Sequence, residues 1–486
     1  MDVFNKTVKK LSESDYKTLL ESIGGNKLSK PYKVLETARS QDLDDGKMLE
    51  LLDIPPSTYY TLKSRLKQKI SSYLSKEVDN PISVLLNEVA RVPANLFGSN
   101  REVSIRALKD LEKQLIEYDL SNELIVVYKT LARLHKFGPE YEHYQKLYSK
   151  HIAYSLSVVK AEDLFYDFIV KLGIYQLSGK EDDLEAVKNI RRELENIREL
   201  YESHRLFVLY NIVKIYDLCT DHSKREFLKS QELEIEQILQ EMQKIFNRYN
   251  LDTFYQNIKF VVNFLYFEYY QKTGNYVRAH HYYKMIVPLV PDLAEKFNLS
   301  FFISQFLVSK VEMFLMDDNV DTLLDISEDL KQHYEVDEDE VYHYIVYQRF
   351  LAVSKFYQKK YSESALIINN LRNTISLKQF MKTDVECKLF QALQYCFMGE
   401  EGLCLQYLNS VKRQISDEEE GKFENVEVFI KLLKTFFRPS DNRKKLKRLM
   451  ELWARFVEEN QGENQILAYV KLDEKTLKEM LMALKG

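Results

Sequence analysis

Residues that break or turn a chain are scarce in this sequence, and the few present stand at nearly regular intervals. Only 13 glycines and 9 prolines occur among 486 residues, under half of the roughly 12% usual for soluble chains. Strands need frequent tight turns, and tight turns need Gly and Pro. The chain is therefore expected to be all-α, with long helices and short connections. Charged residues make up 29% and aromatic residues 13%. Disordered chains are poor in aromatics, so the composition reads as amphipathic helices packed through Tyr and Phe.

The breaks read KFGPEY at Gly138, LSGKED at Gly179, CTDHSK at His222, KTGNYV at Gly274, MDDNVD at Asp318, QKKYSE at Lys360, MGEEGL at Gly399 and FRPSDN at Pro439. Successive breaks lie about 42 residues apart, the kind of self-similarity that marks a helical repeat array. The one long interval holds the charged stretch at 229–250. Each break separates two helical patterns. Before Gly274, residues 258–271 are apolar or aromatic on nearly every side, as in a helix covered by neighbours. After it, Tyr276, Ala279, Tyr283 and Ile286 fall at helical spacing. Tyr361, Ala365, Ile368 and Leu371 repeat the scheme, and Leu403, Tyr407 and Leu408 follow Gly399.

The run YYQKTGNYVRAHHYY, with Tyr269, Gly274, Tyr276, Ala279 and Tyr283, resembles the tetratricopeptide repeat, and KFYQKKYSESALIINNL resembles it next best. The spacing departs from that family, at about 42 residues rather than about 34. The resemblance implies an α-solenoid of about eight antiparallel helix pairs over residues 81–465. Residues 466–486 read as a capping helix with Leu477, Met480, Leu481 and Leu484 on one stripe. A single helix pair cannot bury its apolar face, whereas stacked pairs share one core and curve around a concave groove. Such grooves commonly take a protein or peptide partner.

Residues 1–80 differ, with three or four short helical patterns and glycines at Gly24 and Gly25. MLELLDIPPSTYYTLKSRLKQKI (48–70) has the grammar of a helix-turn-helix. Leu49, Leu52 and Ile54 are expected to anchor its first helix, and Tyr60, Leu62, Leu66 and Ile70 its second, with Ser57 and Thr58 able to cap the latter. Leu52, Ile54, Ser57, Tyr60 and Ile70 resemble the helix-turn-helix of sigma-factor region 4 and related bacterial regulators. Asp53 stands where a Gly is usual, and Pro55 and Pro56 stiffen the turn. The resemblance implies duplex-DNA contact. Ser57, Thr58, Tyr59 and Thr61 would meet base edges at the N-terminus of the second helix. Lys63, Arg65, Lys67 and Lys69 would meet phosphates. The other reading is a helical cap with a solvated basic face: 14 Lys/Arg stand against 12 Asp/Glu in residues 1–80, and the whole chain carries −5. A short helical module ahead of a repeat array also resembles uncharacterised cytoplasmic repeat proteins of Bacteroidetes-type bacteria and peptide-sensing regulators.

Catalytic and cofactor motifs do not emerge. ESIGGNKLSK lacks the spacing of a phosphate-binding loop, and no HExxH, GxSxG or CxxC occurs. Cys219 and His222 supply two of the four ligands that a structural zinc needs. Of His280 and His281, which helical geometry points about 100° apart, one is expected packed and one exposed. Four cysteines without a paired framework suit a reducing compartment. The first residues show no signal-peptide core, and the apolar run at 297–309 is too short to span a bilayer. The expectation is a cytoplasmic, non-enzymatic scaffold without cofactor or metal that binds a protein or peptide; a DNA-binding regulator is the alternative.

Overall fold

The computed structural model describes the chain except residues 1–3, 5–7, 10, 12, 24–28, 41–44, 77–80, 96–99, 221–224, 251, 291–299, 318–322, 324–335, 417–422, 462–464 and 484–486. The described residues form 22 α-helices and two short 3-10 turns, with no strand among them. The chain is all-α. None of the described helices is long and apolar enough to cross a membrane. The expected breaks at His222 and Asp318, the Gly24–Gly25 pair and Leu484 lie outside the described residues.

Two compact units divide the chain. One comprises Met1–His151 with Leu251–Thr253, the other Ile152–Asn250 with Phe254–Gly486. The first unit contains α1 (Glu13–Ser22), α2 (Lys30–Ser40), α3 (Asp45–Leu52), α4 (Pro56–Lys76), α5 (Pro81–Asn95), α6 (Arg101–Glu117) and α7 (Ser121–Leu134). Its apolar residues form two clusters, one from Phe4 to Ile70 and one from Leu85 to Tyr144. The 38-residue α8 (Tyr141–Ser178) begins in this unit and continues into the other. The interval between the breaks at Gly138 and Gly179 is thus one helix rather than a pair. Nothing in it interrupts helical hydrogen bonding, since its one glycine, Gly173, lowers helix propensity by only about 1 kcal/mol.

The second unit continues with α9 (Glu181–Leu200), α10 (His204–Thr220), α11 (Arg225–Ser230), α12 (Glu232–Arg248), α13 (Thr253–Thr273), α14 (Tyr276–Ile286) and α15 (Ser300–Asp317). It closes with α16 (Val341–Tyr357), α17 (Tyr361–Thr374), α18 (Met381–Phe397), α19 (Glu401–Ile415), α20 (Glu424–Phe437), α21 (Asn442–Glu459) and α22 (Glu474–Ala483). Sequential neighbours pack as hairpins: α16 on α17, α18 on α19, α20 on α21. α18 also meets α17, α20 and α22, which is why it buries residues on nearly every side.

One turn recurs between helices. Asp119, Gly274, Lys359 and Gly399 all have positive φ, at 57°, 87°, 63° and 76°. Each is followed by an N–H that reaches back five residues: Leu120 to the Leu115 carbonyl, Asn275 to Tyr270, Lys360 to Lys355 and Glu400 to Tyr395, at 2.8–3.0 Å. This is the Schellman C-cap, which satisfies the orphan carbonyls of the ending helix. Beyond the turns, Ala279, Tyr283 and Ile286 are buried as the spacing predicts, while Tyr276 is exposed. In α19 the buried stripe is Cys404, Leu408, Val411 and Ile415, so Leu403 faces out, one residue off the expected register. His280 and His281 are both exposed, because Ala279 and Tyr283 already define the inner face of α14.

Candidate ligand cavity and the N-terminal helix pair

A cavity of about 700 Å³ lies within the second unit. Helical period sets its walls. Along α16, Tyr342, Val346, Arg349 and Val353 share one face, as do Leu184, Val187, Lys188 and Arg191 along α9. α15 contributes Gln305, Val308, Val311 and Glu312, the end of α8 contributes Leu172, Tyr175 and Gln176, and the first turns of α18 contribute Lys382 and Glu386. The last wall is not helical: Gln465, Ala468 and Tyr469 come from the segment between α21 and α22.

Polar groups in these walls are tied to one another. Gln305 donates to the Gln176 side-chain oxygen at 2.8 Å, and the Tyr342 hydroxyl donates to that same oxygen. The Tyr342 ring lies against α8 at Gly173, where a Cβ would sit 3.0 Å from the ring. Arg349 pairs with Glu386 at 2.6 Å and lies over the Tyr469 ring. Burial opposes the Arg349 charge, but the Glu386 carboxylate, with Tyr469 and Cys387, holds its pKa above the usual value. Arg191 pairs with Asp217. Glu312 pairs with Lys272 of α13 at 2.7 Å. Burial pushes the nearby Glu268 carboxyl up to about 8, although Lys272 pulls it down.

The non-helical wall is a strap that turns on itself: Leu467 takes φ 49°, and the Val470 N–H donates to its carbonyl at 2.9 Å. Asn460 brackets Ile466, accepting from its N–H at 2.9 Å and donating to its carbonyl at 2.7 Å. The Leu467 N–H donates to Glu386 at 2.9 Å. The Tyr357 hydroxyl donates to the Tyr469 carbonyl at 2.9 Å and accepts from the Lys471 N–H at 3.1 Å. Ile466, Leu467, Val470 and Leu472 are buried. Asp473 then caps α22, accepting from the Thr476 N–H at 2.7 Å, and Leu477 and Met480 sink fully into the unit.

The sequence carried a muted signal for this site. Arg349 is a charged residue in a largely apolar helix, and such residues rarely lie inside unless paired. The strap is dense in apolar residues, but Ile466, Leu467, Val470 and Leu472 are buried and Ala468 is exposed, an order that follows neither a helical nor a strand period. The cysteines are buried, and burial pushes up the pKa of Cys219, Cys387 and Cys396, which leaves those thiols poor nucleophiles.

The N-terminal helix pair is built on different chemistry. α3 ends at Leu52, Asp53 takes φ 47°, and α4 starts at Pro56. The aspartate thus adopts the left-handed conformation expected of a glycine there. Pro56 is the first helical residue, a position whose N–H is unpaired in any helix. Ser57 and Thr58 therefore lie in the first turn and not at the cap; the Pro55 carbonyl accepts from the Thr58 and Tyr59 N–H groups at 3.0 and 3.1 Å. The buried stripe of α4 is Tyr59, Lys63, Leu66 and Ile70, so Tyr59 takes the place expected for Tyr60.

That register sorts the eight residues singled out for DNA. Ser57, Thr58, Thr61, Arg65, Lys67 and Lys69 are exposed on α4. Tyr59 and Lys63 turn inward. The Tyr59 hydroxyl donates to Asp45 at 2.9 Å, and Lys63, 6% exposed, pairs with the same carboxylate. Burial and the Asp45 hydrogen bond push the Tyr59 pKa up to about 12. No protein-family model, curated protein or solved structure matches this chain.

Proposed function

We propose that the second unit is a tetratricopeptide-like α-solenoid, a non-enzymatic cytoplasmic scaffold whose inner face binds an extended protein or peptide segment in the cavity. The observation that carries this reading is the strap. Glu386 and Tyr357 hold its main chain through N–H and carbonyl groups, the groups every peptide offers. Beside it the cavity provides apolar wall from α15 and α16 and amides from Gln176, Gln305 and Gln465. Its volume falls within the roughly 300–1,000 Å³ range of specific ligand pockets. The recurring Schellman turns and hairpins support the repeat reading. The test is selection of random dodecapeptides against the full chain and against Ala468→Trp, which fills the cavity from an exposed position. Peptides enriched on the parent and lost on the variant support the reading; failure to enrich any sinks it.

A second reading is duplex-DNA binding through α3 and α4, favoured by the left-handed turn at Asp53 and the outward polar face of α4. Its contact set excludes Tyr59 and Lys63. Binding of a mixed-sequence duplex by the full chain should weaken steeply with salt and be lost in Arg65→Glu/Lys69→Glu. Binding indifferent to that double reversal discards the reading.

A further inference from the structure

We propose that the joined ends of α20 and α21 form a separate binding surface, one that takes the phosphate backbone of duplex nucleic acid without regard to sequence. Between residues 428 and 450 stand eight Lys and Arg against one acid, Asp441. That acid is occupied by its own helix: its carboxylate accepts from the Arg443 and Lys444 N–H groups at 3.1 and 3.3 Å. Three of the eight cations are engaged as well. Lys445 is buried and donates to the Phe436 carbonyl at 3.1 Å, which ties the start of α21 to the last turn of α20. Lys434 reaches the Asn409 side chain, and Arg448 pairs with Glu451. The other five, Lys431, Arg438, Arg443, Lys444 and Lys447, are exposed and have no ion-pair partner among the described residues.

Their placement works against the fold. The start of a helix carries a partial positive charge and favours Asp and Glu. α21 has no acid in its first turn, and five of its first seven residues are Lys or Arg. Arg443 and Lys447 stand four residues apart, a helical spacing at which like charges repel. Local choices that oppose the fold mark functional surfaces, and this one is cationic in a chain whose net charge is −5. Chemistry then selects the partner. A folded acidic protein would gain only exposed ion pairs, each of them weak. A nucleic-acid backbone gains more from the same side chains, because each phosphate neutralised releases condensed counterions. A bilayer takes up a helix through an apolar face, and the apolar stripe of α21, Leu449, Leu452 and Phe456, is already buried. Single strands are held by rings that stack on their bases, but Phe429 and Phe436 are buried and Phe437 is half-buried. The duplex, with its dense charge, fits what is left.

The experiment is fluorescence anisotropy of a labelled mixed-sequence DNA duplex titrated with the full chain across a salt series. Log affinity should fall against log salt with a slope of about −0.9 for each phosphate met, and a duplex of unrelated sequence should bind equally. Arg443→Gln/Lys447→Gln should weaken binding about tenfold or more at low salt and reduce the slope by about 2. Arg443→Lys/Lys447→Arg, which keeps both charges, should bind as the parent does. Neutralising the two cations relieves repulsion at the start of α21, so the first variant should melt no lower than the parent, which separates a lost contact from a lost fold. Absence of duplex binding at low salt overturns the proposal. So does binding that survives Arg443→Gln/Lys447→Gln but is lost in Arg65→Glu/Lys69→Glu, which places the contact on α4. Capture by phosphatidylserine vesicles in preference to the duplex, or tighter binding of the single strand, overturns the choice of partner.

Discussion

Glu268 and Lys310 are buried ionisable groups whose burial pushes their pKa values in opposite directions, to about 8 and about 6. Glu268 sits on α13 facing Lys272 and Glu312, and the Ser309 hydroxyl hydrogen-bonds its carboxyl. Lys310 on α15 is wholly enclosed, with its ammonium over the Tyr283 ring. Between the unfolded carboxyl value near 4.5 and about 8, the folded chain holds more proton at Glu268 than the unfolded chain does. Stability from this residue is therefore full at acid pH and falls as pH rises through that window. Lys310 has the opposite sign: from about 6 to the unfolded value near 10.5, the folded chain holds less proton there, so its contribution grows with pH. Glu268→Gln should therefore gain stability over the parent progressively from pH 5 to 8, on the order of 1 kcal/mol per pH unit. Lys310→Met should gain most at low pH, with the gap closing as pH rises. Thermal melts of the parent and each variant across that range test both slopes, and parallel curves would discard the assignments.

At the scale of the element, close approach sets one constraint that no helical pattern reveals. Gly173 lies inside α8, where Ala is the better helix former by about 1 kcal/mol. A methyl there would stand 3.0 Å from the Tyr342 ring, which the Gln176 oxygen and Gln305 hold in place. Overpacking of this kind costs about 1–3 kcal/mol, so steric cost wins. Gly173→Ala should lower stability by about 1 kcal/mol net and weaken any cavity ligand; a melting temperature raised above the parent's would show that the tyrosine yields freely. Helices and their turns were legible where chemistry demands a particular residue. Gly274 and Gly399 occupy left-handed positions that punish a side chain. The same turn at Asp119 was illegible, because an aspartate can take that conformation without a glycine to announce it. Register was less legible than existence. On α4, Tyr59 and Tyr60 are adjacent aromatics, and composition does not say which turns inward. The Asp45 carboxylate decides it by satisfying both the Tyr59 hydroxyl and Lys63. Lys63 reads as one of four phosphate-facing cations of the second helix, and only a partner 18 residues upstream makes it a buried one.

For the molecule as a whole, the strap decides whether the cavity has a fixed wall or a removable lid. Residues 466–486 were expected to form one closing helix; α22 covers Glu474–Ala483, and residues 466–473 ahead of it are the non-helical wall, which carries no helical period. Its anchors are apolar and deep. Ile466, Leu467, Val470 and Leu472, with Leu477 and Met480 of α22, are 0–6% exposed. At about 2 kcal/mol for each such side chain, their burial is worth on the order of 10 kcal/mol. That is comparable to the whole net stability of a domain, about 5–15 kcal/mol. A ligand of micromolar affinity brings about 8 kcal/mol and cannot displace the strap together with α22. The strap, held by the helix that follows it, is therefore wall. A chain ending at residue 464 should fail to give a cooperative thermal transition for the second unit by circular dichroism, whereas Ala468→Trp should melt like the parent. A truncated chain that melts as the parent does, and binds the same peptides more tightly, would make the strap a lid and move the point of ligand access to the C-terminal side of the cavity.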